Sequence, residues 1–465
     1  MRALLYKVLI LLAIIGLILM PPVLTGYAEL RRAEVAMSSE NYIQAGQGYE
    51  RAALLLPWRT DLWEKAGFAA TQSFGDYIRF FEIARKHSSL SVDGWEMLGR
   101  GYWILGDYDM AIVIWEKAIS KYGANKKIYA DLFWMYKIKG DFSKTLNVLE
   151  TLAKIDSRDV FHVYQLGLYL SISNPDRALG EFLLASSLDP EYDPAVETIR
   201  AALNLVLLET DESSKLVIIG RGLGLVNEWS LASEAFRQAA AANGKNAEAW
   251  AWLGEANQQL GQDGSAELDK ALSLDRTNPI VRSLRGVYWM RQDRADQALA
   301  EYLLAAEYDP DNPAWRISVG EAYALRGDLQ AALASYLRAT EMAPTDATVW
   351  SALAAFSAQY NMQLEDVGLP AAQMAVELSG EDPLSLDLLG WTLALLERYD
   401  EARDTLEHAL SLDPQLPQGH LHLGIVTLQT DDWQAAKEHF RQAHDLDPDG
   451  PVGEQAQMLL NQYFP

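Results

Sequence analysis

The sequence predicts an all-α fold, an α-solenoid of paired helices preceded by an N-terminal transmembrane helix. Apolar and small residues recur about every 34 residues along most of the chain. A period of this length corresponds to one helix-turn-helix unit, which cannot bury its apolar face alone and has to stack on neighbouring copies. The second observation is a run of apolar residues close to the N-terminus, at residues 8–20.

The N-terminal run has the composition of a membrane anchor. Residues 8–20 carry no charge, residues 21–24 extend the stretch, and Arg2 and Lys7 precede it. This length is close to the lower limit for a membrane span, so residues 1–25 are predicted to form a signal anchor. A signal peptide cleaved near residues 26–28 is the alternative. Arg2 and Lys7 favour repeats outside the cytoplasm, whereas Arg31 and Arg32 favour the opposite. We expect a single-pass membrane protein with extracytoplasmic repeats.

The clearest copy of the repeating unit begins at Val92. The first helix has its key residues at the fourth, seventh, eighth and eleventh positions, which are Trp95, Leu98, Gly99 and Tyr102. The second helix continues the pattern at the twentieth, twenty-fourth and twenty-seventh positions, which are Ala111, Trp115 and Ala118. Spacings of three and four residues place these side chains on one face of each helix. Gly106 tolerates the turn between the helices, and Asp107 is suited to cap the second one.

The same pattern divides the chain into two blocks of repeats. Residues 26–193 hold about five repeats and residues 213–450 about seven, whereas residues 194–212 read as a lone helix with a polar run. We expect a hinge at this lone helix, and a degenerate repeat packed in the normal way is the alternative. Residues 451–465 are predicted to form a C-terminal capping helix, since the ends of a solenoid need a more polar outer face. The twelve repeats are expected to start at Gly26, Thr60, Val92, Lys126, Val160, Ser213, Ala247, Pro279, Pro313, Ala347, Pro383 and Pro417.

Glycine and proline recur at fixed places in the pattern. Glycine inside a helix costs about 1 kcal/mol relative to alanine, so its return at the eighth position indicates a close helix–helix contact. The glycines concerned are Gly99, Gly167, Gly220, Gly254, Gly286, Gly320, Gly390 and Gly424. Several second helices are predicted to stop at an Asp-Pro pair, because proline cannot continue a helix. These pairs begin at Asp189, Asp309, Asp413 and Asp447.

These residues resemble the tetratricopeptide repeat, whose signature is W-x2-L-G-x2-Y followed by A-x3-F and a proline. The resemblance covers nearly everything after residue 26. It departs from the signature at Phe133, where glycine is usual, and in the copy that begins at Ala247, which is two residues short. Membership of this family implies a right-handed superhelix, and it implies that positions two, five, nine and twelve of the first helices line a concave groove.

Composition and motifs argue against several classes of function. A formal charge of −25 argues against nucleic acid as a partner, and the absence of cysteine excludes disulfides and thiolate zinc sites. Five late histidines, His408, His420, His422, His439 and His444, are spaced as core and surface residues better than as metal ligands. The glycine-rich residues 220–224 lie within a predicted helix with no preceding strand, which argues against a phosphate loop. We therefore predict no enzyme activity, no cofactor and no metal.

The predicted function follows from aromatic residues at the groove positions. They are Phe68, Trp103, Trp134, Phe161, Tyr164 and Trp391. Large aromatic side chains on a groove are candidate anchors for a peptide or protein segment, although they are also suited to stack on one another. The sequence thus predicts a membrane-anchored scaffold or adaptor for protein segments. The alternative is a regulator or accessory subunit of enzymes that assemble the cell envelope or polysaccharide.

Overall fold

The computed structural model describes residues 2–72, 76–87 and 90–464, with side chains from residue 20 onward. The chain forms two compact units, residues 1–206 and residues 207–465. All regular elements in the described residues are helical. The all-α prediction is therefore confirmed for this part of the chain, while the two-block division and the hinge stay predictions.

In the described residues of unit 1, eleven α-helices pack in chain order. A short 3₁₀ turn at Pro190–Tyr192 precedes the last one. The helices are α1 Arg2–Ser38, α2 Tyr42–Leu55, α3 Asp61–Gln72, α4 Tyr77–Lys86, α5 Val92–Ile104, α6 Tyr108–Tyr122, α7 Lys126–Ile138, α8 Phe142–Ile155, α9 Val160–Ser173, α10 Pro175–Leu188 and α11 Asp193–Val206.

Between residues 207 and 464, unit 2 has fifteen α-helices arranged in the same way, with a π turn at Leu364–Gly368. They are α12 Glu212–Leu225, α13 Trp229–Ala242, α14 Ala247–Gln259, α15 Ser265–Leu274, α16 Pro279–Arg291, α17 Ala295–Tyr308, α18 Ala314–Leu325, α19 Leu329–Met342, α20 Ala347–Tyr360, α21 Leu369–Ser379, α22 Pro383–Leu395, α23 Tyr399–Leu412, α24 Pro417–Gln429, α25 Trp433–Leu446 and α26 Pro451–Tyr463.

The N-terminal helix differs from the expected start of the first repeat. No helix begins at Gly26, because α1 runs from Arg2 to Ser38 without a break and includes Pro21 and Pro22. The predicted anchor, residues 1–25, has most of its side chains outside the described set, which begins at residue 20. Across the described residues, no helix combines the length and the apolar character that crossing a bilayer requires. The transmembrane helix is therefore not part of the observed architecture and stays a prediction.

The turns inside the repeats follow a common rule. Gly106 adopts φ +79°, in the left-handed region where a glycine carries no steric cost. Asp107 then caps α6, since its carboxylate accepts the backbone N–H of Met110 at 3.0 Å. The corresponding second helices α8, α19 and α25 are capped in the same way by Asp141, Asp328 and Asp432. Each turn therefore ends one helix and starts the next within three or four residues.

The helix pairs are held together by a ring inserted against the glycine of the first helix. A Cβ atom on Gly167 would lie 2.8 Å from Phe182, and one on Gly320 would lie 2.8 Å from Tyr336. The glycine at the eighth position thus leaves room for a side chain of the second helix, which lies at the twenty-third position for Phe182 and at the twenty-fourth for Tyr336. The other pairs with a ring are Gly67 with Phe81, Gly99 with Trp115, Gly220 with Phe236, Gly286 with Tyr302 and Gly424 with Phe440, whereas Gly390 faces the aliphatic side chain of Leu406.

Candidate functional site

The first helices of unit 1 bring two of the predicted aromatic residues together. Trp134 on α7 stacks on Phe161 on α9, with ring centroids 5.8 Å apart and ring planes 24° from parallel. Trp134 is 42% exposed, which is high for a tryptophan and leaves much of one ring available for contact. We call Trp134, Phe161 and the neighbouring Lys137 the aromatic platform.

The aromatic platform has a rigid base. Phe133 is fully buried and meets both platform rings edge-on, at 5.0 Å from Trp134 and 5.9 Å from Phe161. The Lys137 ammonium lies 5.9 Å from the centre of the Trp134 ring and donates a hydrogen bond of 3.0 Å to Gln165 Oε1. A cation over the ring face adds to the aromatic contacts, so the platform is preorganised as a flat surface with one cationic edge.

An ion-pair network with buried carboxylates and partly exposed cations joins α5 to α7. Arg100 on α5 contacts Asp131 on α7 at 3.0 Å and Glu96 at 3.2 Å, and Lys127 lies 3.7 Å from Glu96. Glu96 and Asp131 are each only 5% exposed. Burial raises the pKa of both carboxyl groups, while the hydrogen bond to Asp131 raises the pKa of Arg100. Because removing one partner would leave a buried charge unpaired, this network fixes the spacing of the two helices.

Three further predicted residues of unit 1 lie apart from the platform. Phe68 on α3 is half-buried and packs edge-on against Phe81 at 5.2 Å. Trp103 on α5 is half-buried, and it stacks on none of the aromatic rings in the described part of the chain. Tyr164 on α9 is only 8% exposed and lies between Phe182 at 5.9 Å and Tyr192 at 4.8 Å. Little of the Tyr164 ring reaches solvent, and this burial disfavours it as an anchor for a partner. Its role in binding stays a prediction.

The remaining predicted residue, Trp391, lies in unit 2. Its ring on α22 stacks on His422 on α24 at 4.4 Å, with ring planes 12° from parallel. His422 is in turn held by Asp387, whose carboxylate lies 2.8 Å from Nδ1. Trp391 is half-buried in this arrangement. It therefore joins two first helices and presents less surface than Trp134.

The glycine-rich residues 220–224 and two of the late histidines contact other side chains of the fold. Gly220 and Gly224 lie within α12, where the first faces Phe236 and the second faces Trp229, so residues 220–224 serve helix packing. His420 and His439 are paired through their Nδ1 atoms at 3.1 Å. Within the described residues, no three potential ligand side chains are grouped as a metal ion would require.

Part of the chain matches a known family of repeats. Three segments match the tetratricopeptide repeat. They are residues 226–279, residues 284–347 and residues 385–416, all in unit 2. The predicted resemblance to this repeat is confirmed for these segments. No curated protein sequence matches the chain.

Three solved structures are similar to this chain at low sequence identity. Yeast Tom70 is 16% identical, with 80% of this chain and 95% of that chain covered and a TM-score of 0.45. The Cut9–Hcn1 hetero-tetramer of the APC/C is 13% identical, with 97% and 99% covered and a TM-score of 0.41. YrrB, described as a TPR protein with an unusual peptide-binding site, is 20% identical, with 41% and 97% covered and a TM-score of 0.31.

Several residues of the site were not predicted from the sequence, and their positions in the repeating unit show why. Arg100 and Lys137 occupy the ninth and twelfth positions of their first helices, which the groove rule already includes. Both are basic, whereas the sequence prediction rests on aromatic residues at these positions. Asp131 and Gln165 occupy sixth positions, which the rule omits, and His422 is at a sixth position as well. In each case the sixth residue contacts a side chain of a neighbouring first helix.

Proposed function

We propose that this protein is a tetratricopeptide-like scaffold that binds a protein segment across the aromatic platform and is held at a membrane by its N-terminal residues. The observation that carries the proposal is the large exposed fraction of Trp134 on a fully packed base. Helical-repeat scaffolds generally work by binding proteins, and tryptophan is among the residues that most often dominate binding energy. Trp134 is the most exposed of the six groove residues predicted from the sequence, all of which the structure describes.

The chemistry of the platform defines the kind of segment it would accept. Stacking on Trp134 and Phe161 favours an aromatic, proline or long aliphatic side chain, because these cover a flat ring with little loss of entropy. The Lys137 ammonium at the edge favours a hydrogen-bond acceptor, such as a backbone carbonyl or a carboxylate, next to that side chain. We expect an extended segment of this composition, bound reversibly.

Membrane attachment is the second part of the proposal. It rests on the uncharged run at residues 8–20 and on the continuity of α1, which joins that run to the first repeat without a linker. A scaffold attached in this way would hold its partner close to the bilayer. We propose that the repeats lie outside the cytoplasm, with Arg2 and Lys7 on the inner side.

The test is affinity capture of the full chain from membranes, with chemical crosslinking and quantitative mass spectrometry. The variant carries Trp134→Ala and Phe161→Ala. The matched control is Trp58→Ala, since Trp58 is also largely exposed, at 57%, but lies in the turn between α2 and α3. Loss of a true anchor costs about 2 kcal/mol or more, so the platform variant should capture its partner about 30-fold less well.

The control and the fold decide how the result is interpreted. The Trp58 variant should capture the partner as well as the natural protein does, and circular dichroism should be the same for all three proteins. Unchanged capture by a correctly folded platform variant would show that the binding surface lies elsewhere on the chain.

A further inference from the structure

A groove of about 640 Å³ lies between the second half of α1 and helix α2 in unit 1. Its floor is built from small side chains, because Ala33 and Gly48 bring the two helices into close contact; a Cβ on Gly48 would lie 2.8 Å from the Cβ of Ala33. Ala28 and Ala36 continue this floor along α1. The groove is therefore apolar at the bottom and bounded by two helices whose separation is fixed.

The rim of the groove carries three arginines, Arg31, Arg32 and Arg51. Glu29 is only 9% exposed and orients two of them, with Arg32 at 2.7 Å from one carboxylate oxygen and Arg51 at 2.8 Å from the other. The hydrogen bond from Arg51, assisted by Arg32, lowers the pKa of Glu29. Each guanidinium offers five N–H donors, and Glu29 accepts from one donor of each.

The balance of charge in the groove favours an anion. The residues that line the groove include three arginines and no acidic side chain, while Glu29 beside it pairs with two of the arginines, in a chain whose formal charge is −25. Arg31 forms no ion pair with any side chain in the described part of the protein. Guanidinium groups bind phosphate through paired, planar hydrogen bonds, so a phosphate group matches the donors on the rim.

The position of Arg31 and Arg32 along α1 indicates which phosphate-bearing molecule is available. Arg31 follows the end of the apolar stretch at residue 24 by seven residues on the same uninterrupted helix. At about 1.5 Å per residue this is roughly 10 Å along the axis. The headgroup layer of a bilayer is about 5–8 Å thick on each side, and an arginine side chain is long enough to reach back into it.

We propose that this groove binds the phosphate of an anionic phospholipid headgroup, with the three arginines around the phosphate and the start of an acyl chain on the alanine floor. The proposal rests on the membrane attachment proposed above. A symmetric dimer through this groove is disfavoured, because it would place three arginines against three arginines. Basic residues next to a membrane surface strengthen attachment to anionic lipid by about fivefold each.

The experiment measures lipid binding to the full chain in detergent by native mass spectrometry. Phosphatidylglycerol is compared with phosphatidylcholine for the natural protein and for the triple variant Arg31→Gln, Arg32→Gln and Arg51→Gln. The matched control is Arg237→Gln, Arg276→Gln and Arg338→Gln, three exposed arginines of unit 2, which lose the same charge. Glycerol 3-phosphate and inorganic phosphate serve as soluble competitors.

The expected result is a preference for phosphatidylglycerol of at least tenfold in the natural protein and in the control, which disappears in the groove variant. A groove variant that keeps the preference would overturn the proposal, and so would a natural protein without any preference. Equal affinity for inorganic phosphate would show that the ligand is a free anion and not a lipid. A dimer of the natural protein that the groove variant loses would assign the groove to a second copy.

Membrane attachment is tested separately by flotation of the full chain with vesicles of phosphatidylcholine alone. Flotation without a phosphatidylglycerol preference would remove the headgroup site and leave the attachment intact. The reverse result, a preference in detergent without flotation, would remove the attachment and keep the arginine groove as a phospholipid site. The two proposals can therefore fail independently.

Discussion

The contact between Gly167 and Phe182 predicts opposite effects for two identical substitutions in the α9–α10 pair. Gly167→Ala would place a methyl group 2.8 Å from the ring of Phe182, which is only 1% exposed and has little room to move. Gly180→Ala on α10 would place the same methyl group in open space, with no atom within 4 Å. Both changes gain the same helix propensity of about 1 kcal/mol, so the difference between them isolates the packing cost.

Overpacking of a filled core costs about 1–3 kcal/mol, and this is the expected difference in opening free energy between the two variants. Hydrogen exchange of α9 and α10 is the suitable assay, since repeat arrays lose stability locally. Exchange in the Gly167 variant should be faster than in the Gly180 variant by about 5-fold to 150-fold. Phe182→Leu should remove most of that difference. Equal protection in the two variants would refute the role assigned to the glycine.

Three other perturbations test the turns and the buried histidine pair. Glu397 has φ +61° in the turn before α23, so Glu397→Gly should stabilise α22–α23 by about 1 kcal/mol. Glu407→Gly within α23 should destabilise the same helix pair by about the same amount. Thermal unfolding distinguishes the two variants. Asp432→Ala removes the cap of α25 and should cost about 1 kcal/mol, seen as faster local exchange. Burial and the adjacent His420 lower the pKa of His439 from 6.5. The stability of α24–α25 should therefore be complete above that pH and fall as the pH drops below it, and His439→Gln should flatten the dependence. An unchanged pH profile in that variant would contradict the assignment to His439.

The positions of the helices could be predicted because their start and stop signals are local. Helices begin at Val92, Lys126, Ala347 and Pro417, where the 34-residue pattern and the capping residues agree. The helix ends predicted at the Asp-Pro pairs are also confirmed, since α10, α17, α23 and α25 each end at the residue before the aspartate. Both signals act over a few residues, and sequence periodicity detects them directly.

Contacts between repeats were harder to predict. Tyr164 was placed on the groove by its fifth position, but the 3₁₀ turn Pro190–Tyr192 brings Tyr192 against its ring. The ion pairs of Arg100 depend on Asp131 in the next repeat, 31 residues away. Such contacts depend on how neighbouring units are stacked, which a single-repeat pattern does not encode. For Trp134 and Phe161 the sequence leaves two alternatives, which are binding a partner and stacking on each other. The two rings stack on each other, and Trp134 still has an exposed surface.

The central claim is that a partner segment lies on the aromatic platform, and site-specific photo-crosslinking tests it most directly. A benzoylphenylalanine replaces Trp134 in one version of the full chain and Trp58 in another, and each is irradiated in intact cells. A partner on the platform should give a defined protein adduct from position 134, mapped to an extended segment, and none from position 58. Adducts from position 58 alone, or the same adducts from both positions, would contradict the claim.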